Sequence, residues 1–253
     1  AGEHFSVKGP LNVARPPQGH PLIIQAGSSD AGQDLAAATA DVVFTGQLTL
    51  EGGQRFYRGL KARMAALGRS PDTLRVMPGL VPIVGRSNAE AQEKFNAIQS
   101  LIDGEEALAF LSQMLGGSDL SGIDPDKPGP ELPMIENRGS SGPKLLQEKA
   151  RRENLTLRQL AFEVAGARRH RLVIGSATEV ADQLELWFRN EAADGFNIFP
   201  AWMPGGVEDF ADLVIPELQR RGLYRTEYQG KTLRENLGLA RPPNRYTQRH
   251  AGR

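Results

Sequence analysis

The sequence of 253 residues predicts an α/β fold, in which strands and helices alternate along the chain. Apolar runs of strand length cover residues 21–26, 41–46 and 74–84, and a fourth run, FNIFPAW, follows the turn at Asp194-Gly195. Segments with helical composition or periodicity separate them. Four strands joined in this way fit either a small doubly wound sheet or half of an eight-stranded barrel, and the pattern alone leaves both open.

Two of these runs carry more specific expectations. The run PLIIQA at 21–26 has the short, apolar composition of a strand that is buried on both faces. The run at 74–84 contains Pro78 and Pro82. Because proline has no N–H to give to a ladder, we expect a bulge or an early end there.

Helical periodicity is strongest between residues 52 and 68 and after Ser176. In the first segment an apolar face is predicted to be buried, and it consists of Phe56, Leu60, Met64 and Leu67. In the second segment the corresponding stripe consists of Val180, Leu184, Trp187 and Phe188. Two Ser-x-x-Glu patterns, at Ser87 and Ser176, predict capped helix starts. Pro216 predicts a kink in a last helix that begins near residue 205.

Residues 87–175 are predicted to form a helical and loop insertion before the last strand. Two helices open it, and two more follow the Gly- and Pro-rich stretch 116–143, which no regular element can cross. Loops of this length in compact domains are usually functional lids or mobile segments. The polar, basic tail 223–253 has no core pattern, so we expect it to wrap a surface or a neighbouring subunit.

Composition excludes several classes of function. Lys+Arg and Asp+Glu are 30 each, which argues against a nucleic-acid footprint and against a polybasic membrane anchor. The chain has no cysteine, and therefore no disulfide, thiolate nucleophile, Cys-ligated zinc or iron–sulfur cluster. No apolar run reaches about 18 residues and no signal pattern opens the chain, so we expect a cytoplasmic protein.

The four histidines predict no metal site. None of His4, His20, His170 and His250 has a histidine three or four residues away. Surface or capping roles are expected for them, but His170 follows the insertion and lies where a lid could meet a pocket. Beside it, Arg168, Arg169 and Arg171 either hold an anion or form a solvated turn, and the solvated turn is favoured.

The stretch Gly27-Ser28-Ser29-Asp30-Ala31-Gly32 is the most informative one. It follows a predicted strand and opens a helix, where unpaired N–H groups and the helix dipole favour an anion. The two serines add donors, and Gly27 and Gly32 would let backbone approach a phosphate. A plain turn with a capping serine explains the same residues, and spacing does not decide between them.

At this stretch the sequence resembles a known family. The segments HFSVKGPLNVARPPQGHPLIIQAGSSDAGQDLAAATADVVFTGQ, RLVIGSATEVADQLELWF, DGFNIFPAW and YRTEYQGKTLRENLGL are similar to bacterial-luciferase-like flavin-dependent monooxygenases. Within that superfamily they resemble the group of the nitrilotriacetate, dibenzothiophene-sulfone and pristinamycin-synthase monooxygenases. The resemblance extends over nearly the whole chain.

The resemblance implies a TIM barrel, of which residues 1–253 would form about the last four βα units plus the insertion. It also implies a two-component enzyme that uses reduced FMN and O2 and inserts one oxygen atom into a small organic substrate through a flavin C4a-(hydro)peroxide. A separate reductase would supply the reduced FMN from NAD(P)H. A flavin- or phosphate-binding protein without catalysis is the alternative.

The resemblance also implies site residues. The FMN phosphate would be held by Gly27, Ser28, Ser29 and Gly32. The substrate pocket would include Phe44, Gly46, Met114 and His170. Relatives carry catalytic histidines in an amino-terminal half that this chain does not contain, so no catalytic residue is assigned. We expect a homo-oligomer or pairing with a chain that supplies that half.

Overall fold

The computed structural model describes residues 1–9, 12–133, 141–167 and 170–244. In this part of the chain five parallel strands form a sheet: β1 (Ile24–Gln25), β2 (Val42–Thr45), β3 (Arg75–Gly85), β4 (Arg171–Ser176) and β5 (Asn197–Ile198). The strand order is β1-β2-β3-β4, and β5 also pairs with β3. The predicted α/β class with a parallel sheet is confirmed.

Ten α-helices accompany the described strands. They are α1 (Asp30–Thr39), α2 (Leu50–Ala66), α3 (Asn88–Gln99), α4 (Gly104–Met114), α5 (Ser141–Arg152), α6 (Leu157–Ala167), α7 (Ala177–Arg189), α8 (Gly205–Asp209), α9 (Ile215–Arg220) and α10 (Leu233–Asn236). Ser29, Thr49, Ser87, Asp103 and Ser176 cap the first turns of α1, α2, α3, α4 and α7, respectively, each accepting a backbone N–H.

The expected count of four strands is wrong, because the structure adds β4. This strand, Arg171–Ser176, begins within the range 87–175, where only helices and loops were expected. Its ladder with β3 runs in register from the Leu80–Arg171 pair to the Gly85–Ser176 pair. The strand was not recognised in the sequence because its apolar part, Leu-Val-Ile, is only three residues long. Basic residues precede this part, and a helix-capping serine ends the strand.

The edge of the sheet differs from expectation at β1. The prediction that residues 21–26 are buried on both faces is wrong, since the Ile24 residue is 63% exposed and Ile23 is 45% exposed. In the described part of the chain β1 pairs only with β2, at Ile24–Val42 and Gln25–Val43. An apolar strand with one bare edge is a surface that another strand can cover.

The two prolines do not shorten β3, which runs for 11 residues. Pro78 is the last β3 residue that pairs with β2, and the strand pairs with β5 and β4 from Gly79 onward. The N–H that Pro78 lacks is therefore at the position where the pairing of β3 changes from β2 to β5 and β4. Pro82 lies opposite Val173 in the ladder with β4, the one strand that pairs with this part of β3 among the described residues. A proline is tolerated when its nitrogen faces the unpaired side.

Packing of the helices on the sheet follows the predicted faces, with two exceptions. Phe56, Leu60 and Met64 on α2 are buried, as are Val180, Leu184 and Trp187 on α7. Leu67 is 60% exposed because α2 ends at Ala66, and Phe188 is 49% exposed. These two positions were wrongly predicted as core.

The predicted kink at Pro216 is instead a change of helix type. A π-helical turn, Phe210–Val214, separates α8 from α9, and Pro216 lies in the first turn of α9. Proline is compatible with a first helical turn because the N–H it lacks has no helical acceptor there. A π turn also shifts the carbonyl with which the proline ring would clash.

Helices α4, α5 and α6 have a hydrophobic core of their own. Its buried members come from α4, α5, α6 and the loop before α5, and they are Ala107, Leu111, Leu115, Leu132, Leu146, Ala150, Leu157, Leu160, Ala161 and Val164. A second cluster joins α1 and α2 to β2 and β3. A third joins α7 and α9 to β3 and β4.

Contacts divide the chain into two compact units, residues 23–226 and residues 1–22 with 227–253. In the smaller unit α10 is held by a capping box between Thr232 and Glu235, and Arg234 is buried with hydrogen bonds to the backbone oxygen of His20 and the side chain of Gln18. The tail thus contains a packed element that its polar composition did not predict. None of the described helices is long and apolar enough to cross a membrane.

Asp194 ties α2 to the amino end of β3. Its Oδ2 accepts the N–H of Val76 at 2.8 Å, its Oδ1 accepts the hydroxyl of Tyr57 at 3.0 Å, and Lys61 Nζ lies 3.5 Å away. Burial, and next the charge of Asp194, raises the pKa of Tyr57 well above its ordinary value. The carboxylate therefore satisfies three groups at once.

We predict that Asp194→Asn lowers the free energy of unfolding by about 1–3 kcal/mol, because the amide cannot accept from both donors and face the ammonium as well. Urea denaturation at constant m-value measures this. Asp34→Asn is the matched control, since it removes the exposed partner of Arg63 on α1 and should cost at most about 1 kcal/mol. Equal losses in the two variants would contradict the assignment.

Candidate active site at the carboxyl ends of the strands

The loop between β1 and α1 is closed by its two glycines. A Cβ built on Gly32 would lie 2.9 Å from the Gly27 Cα, and one on Gly27 would lie 3.0 Å from the Gly32 Cα. The Gly27 N–H donates to Gln25 Oε1 at 2.7 Å. Each glycine is thus required because a side chain there would collide with the backbone of the other. This close approach places the first turn of α1 against the end of β1.

The two serines of this loop have separate roles. Ser29 is the N-cap of α1, and its Oγ accepts the Gly32 N–H at 3.2 Å. Ser28 Oγ lies 2.9 Å from Thr45 Oγ1, which also accepts from Gln47 Nε2 at 3.0 Å. A chain of polar side chains therefore joins the end of β1 to the end of β2.

The donors of this loop suit an anion. The N–H groups of the first turn of a helix have no helical acceptors, and the helix dipole is positive there. The Ser29 hydroxyl accepts from Gly32 and keeps its own proton for a ligand oxygen. The Asp30 carboxylate in the same turn is exposed and forms an ion pair with Arg63 at 2.6 Å, which offsets its charge. This donor set fits a phosphate monoester.

An aromatic cluster lies at the ends of β2 and β5. The His170 ring stacks on the Phe199 ring with centroids 4.5 Å apart and planes 10° from parallel. Phe44 lies 5.3 Å from His170 and 5.7 Å from Phe199, tilted to both. The three rings, from β2, from the residue before β4 and from the residue after β5, form one apolar wall, which we call the aromatic trio.

Gly79 makes room for this wall. A Cβ on Gly79 would lie 2.4 Å from His170 Nδ1 and 2.8 Å from its Cγ. The imidazole therefore rests directly on the backbone of β3, next to the point where β3 pairs with Asn197 of β5. Only glycine leaves space for a ring at this distance.

These features agree with a comparison to known families. A family described as luciferase-like monooxygenase matches residues 1–194 of the chain. The chain belongs to this family.

Named relatives of this luciferase-like chain include the nitrilotriacetate monooxygenase component A of Aminobacter aminovorans, 53% identical over 96% of the chain and 54% of the relative. The N-acetyl-S-(2-succino)cysteine monooxygenase of Bacillus subtilis is 48% identical over 98% of the chain and 56% of the relative. The luciferase-like chain spans about half the length of the curated relatives it matches. The predicted membership of this group is confirmed.

Solved structures give the same answer. The structure of DmoA from Hyphomicrobium sulfonivorans superposes with a TM-score of 0.81 at 30% identity, covering 94% of this chain and 49% of that one. The EDTA monooxygenase of Chelativorans sp. BNC1 superposes with a TM-score of 0.70 at 36% identity, covering 95% of this chain and 56% of that one.

Of the residues predicted for the luciferase-like site, the structure brings Phe44 and His170 together and brings Ser28 next to Thr45. Gly46 follows the last residue of β2, Thr45. Met114 lies at the end of α4 and packs against the core of the insertion. His4 is exposed beside Glu3, and His20 is bonded to Arg234. Arg168, Arg169 and His250 lie outside the described residues.

Two residues that matter here were not singled out from the sequence, and a third was placed in the wrong surroundings. Phe199 belongs to the aromatic trio, and Gly79 supports it by leaving space for the His170 ring. Phe199 could have been found from the rule that active-site residues follow the strands of a barrel. Arg171 was expected in a solvated turn. Instead its guanidinium stacks over the Trp187 ring, 5.0 Å from the centroid.

We predict that Gly79→Ala displaces the His170 ring and lowers the free energy of unfolding by about 1–3 kcal/mol through overpacking. The imidazole proton signals of His170 in NMR, shifted by the neighbouring rings, report the displacement. Gly59→Ala on α2 is the control, because its nearest neighbour would lie 3.9 Å from the new Cβ. That variant should gain up to about 1 kcal/mol from helix propensity. An unchanged His170 signal in Gly79→Ala would contradict the packing described.

Proposed function

We propose that this chain is part of the oxygenase component of a two-component monooxygenase, which uses reduced FMN and O2 to insert one oxygen atom into a small organic substrate. Family membership and the names of its relatives support this reaction class. The observation that carries the proposal is the position of the loop between β1 and α1 at the carboxyl end of β1, together with Phe44 and Phe199 of the aromatic trio at the carboxyl ends of β2 and β5. Enzymes of barrel architecture bind their ligands at such strand ends.

The phosphate of FMN would be held by the loop between β1 and α1. Ser29 would donate its hydroxyl proton, the first-turn N–H groups of α1 would donate from the backbone, and Ser28 would contribute through its hydroxyl. Gly27 and Gly32 act by holding this turn closed. The polar chain through Thr45 and Gln47 would fix the orientation of Ser28.

The aromatic trio would face the flavin ring and the substrate. When bound, reduced flavin supplies the activation of O2. Phe44, His170 and Phe199 would exclude water from the reacting atoms and give an apolar or aromatic substrate a flat surface. Gly46, next to this wall, would leave space for the ligand. Met114 would take part only if the insertion moves toward the trio.

The rest of the pocket would come from a second polypeptide part. The relatives are about twice as long, and the bare edge of β1 with its exposed Ile24 offers a place for a further strand. We propose that an amino-terminal half pairs there and completes a barrel of which this chain supplies the last four βα units. That half comes from the same protein, from another chain or from a second copy in an oligomer. A flavin reductase that consumes NAD(P)H would supply reduced FMN.

Native mass spectrometry of the protein with and without FMN tests this proposal first. We expect one FMN per assembled site, and oxygen consumption above the background of free reduced flavin when a flavin reductase and NADH are added with substrate. A stable monomer that takes up no FMN, also in the presence of the other half, would refute the proposal. Stoichiometric FMN without substrate-dependent oxygen consumption across the substrates of the named relatives would favour the non-catalytic flavin-binding alternative.

We predict that Ser28→Ala combined with Ser29→Ala weakens FMN binding to the assembled protein by about 1–3 kcal/mol, because charge-assisted hydrogen bonds to the phosphate are lost. Fluorescence quenching of FMN measures the affinity, and riboflavin, which lacks the phosphate, should bind both proteins alike. Ser100→Ala, an exposed serine at the end of α3, is the control. Unchanged FMN affinity in the double variant would remove the loop from the site.

A further inference from the structure

A second feature that could take a ligand lies beside the aromatic trio, at the amino end of β4. A cavity of about 250 Å³ opens between this strand, α5 and α6. We call it the Arg171 cavity, and the residues used below that line it are Lys149, Arg152, Glu153, Glu163, His170 and Arg171. Pockets for whole drug-sized ligands measure about 300–1,000 Å³, so this volume suits one arm of a substrate.

Both carboxylates of the cavity are already engaged. Lys149 Nζ lies 2.5 Å from Glu153 Oε2 and 2.8 Å from Glu163 Oε2. Arg152 Nη2 lies 2.5 Å from Glu153 Oε1. The charges of Lys149 and Arg152 are thus balanced by those of Glu153 and Glu163. Arg171 adds one further positive charge to the cavity.

Arg171 has no carboxylate partner in the described part of the chain. Its Nη2 donates to Gln183 Oε1, which is a neutral acceptor, and its guanidinium lies over the Trp187 ring. Its Nη1 is buried and meets no hydrogen-bond acceptor among the described residues. Burial lowers the pKa of Arg171 to about 10, so the side chain remains charged at neutral pH.

A partly buried cation without a counter-ion loses part of its hydration, and a bound anion offsets that cost. A carboxylate matches a guanidinium better than a halide does, because two oxygens accept from the planar fork. The neighbouring residue His170 lines the cavity and belongs to the aromatic trio, which places such a carboxylate next to the proposed reaction site.

We propose that the Arg171 cavity binds a carboxylate group of the substrate, and that Arg171 determines a preference for carboxylated over neutral substrates. The preference rests on the proposed function, whereas the carboxylate site itself can be measured without turnover. Arg171 acts here as a specificity residue and takes no part in the oxygen chemistry.

Isothermal titration calorimetry of the assembled, FMN-loaded protein with glutarate tests the proposal, and glutaramide serves as the neutral probe. We expect Arg171→Gln to weaken glutarate binding by about tenfold or more, the effect of losing one charge-assisted contact. FMN affinity should stay within error. Arg151→Gln, which removes an exposed arginine on the same helix as Lys149 and Arg152, should leave glutarate affinity unchanged.

A second variant keeps the result decisive if Arg171→Gln does not fold. Gln183→Glu would place a carboxylate where Arg171 already finds its neutral acceptor, so it should retain or raise the thermal midpoint and still weaken glutarate at least about tenfold. Unchanged affinity in both variants, or glutaramide bound as tightly as glutarate, would overturn the proposal. Glutarate binding that depends on Arg171 in a protein without flavin-dependent oxygen consumption would refute the proposed function and keep the carboxylate site.

Discussion

The pairing of one long strand with three others determines the rest of this structure. β3 pairs with β2 over its first residues and with β5 and β4 beyond Gly79, so three strands take their position from its backbone. Side chains from outside the strand bind the backbone at both of its ends. Asp194 binds its amino end, and Lys94 donates to the backbone oxygen of Val84 near its carboxyl end. Because His170 rests on the middle of the same strand, the geometry of the candidate site follows from the register of the sheet.

Local chemistry made a large part of this arrangement predictable from sequence. The caps at Ser29 and Ser176, the buried face of α2 and the strand-loop-helix order at the start of the sheet each depend on residues within a few positions of one another. The glycine-serine loop was identified for the same reason. The hydrogen bond between Ser28 of this loop and Thr45 could not be predicted from local sequence, because it forms only when β1 and β2 are neighbours in the sheet.

The features that were missed depend on contacts between distant segments. β4 is short and preceded by basic residues, and it becomes a strand because β3 extends past Pro82 to pair with it. The space at Gly79 has a meaning only when His170, 91 positions later, lies on it. Arg171 was expected to be solvent-exposed because its neighbours in the sequence are charged. In the structure its guanidinium lies over the Trp187 ring of α7. Periodicity carries no information about such pairings.

The separate core of α4, α5 and α6 has a consequence for motion. Helices α4, α5 and α6 bury their apolar residues mainly against one another, so their stability is set by that cluster more than by the sheet. Cooperative units of this kind open with their own free energy in amide hydrogen exchange. We therefore expect amide exchange in α4, α5 and α6 to follow the stability of that cluster, and exchange in the parallel ladder to follow the stability of the sheet.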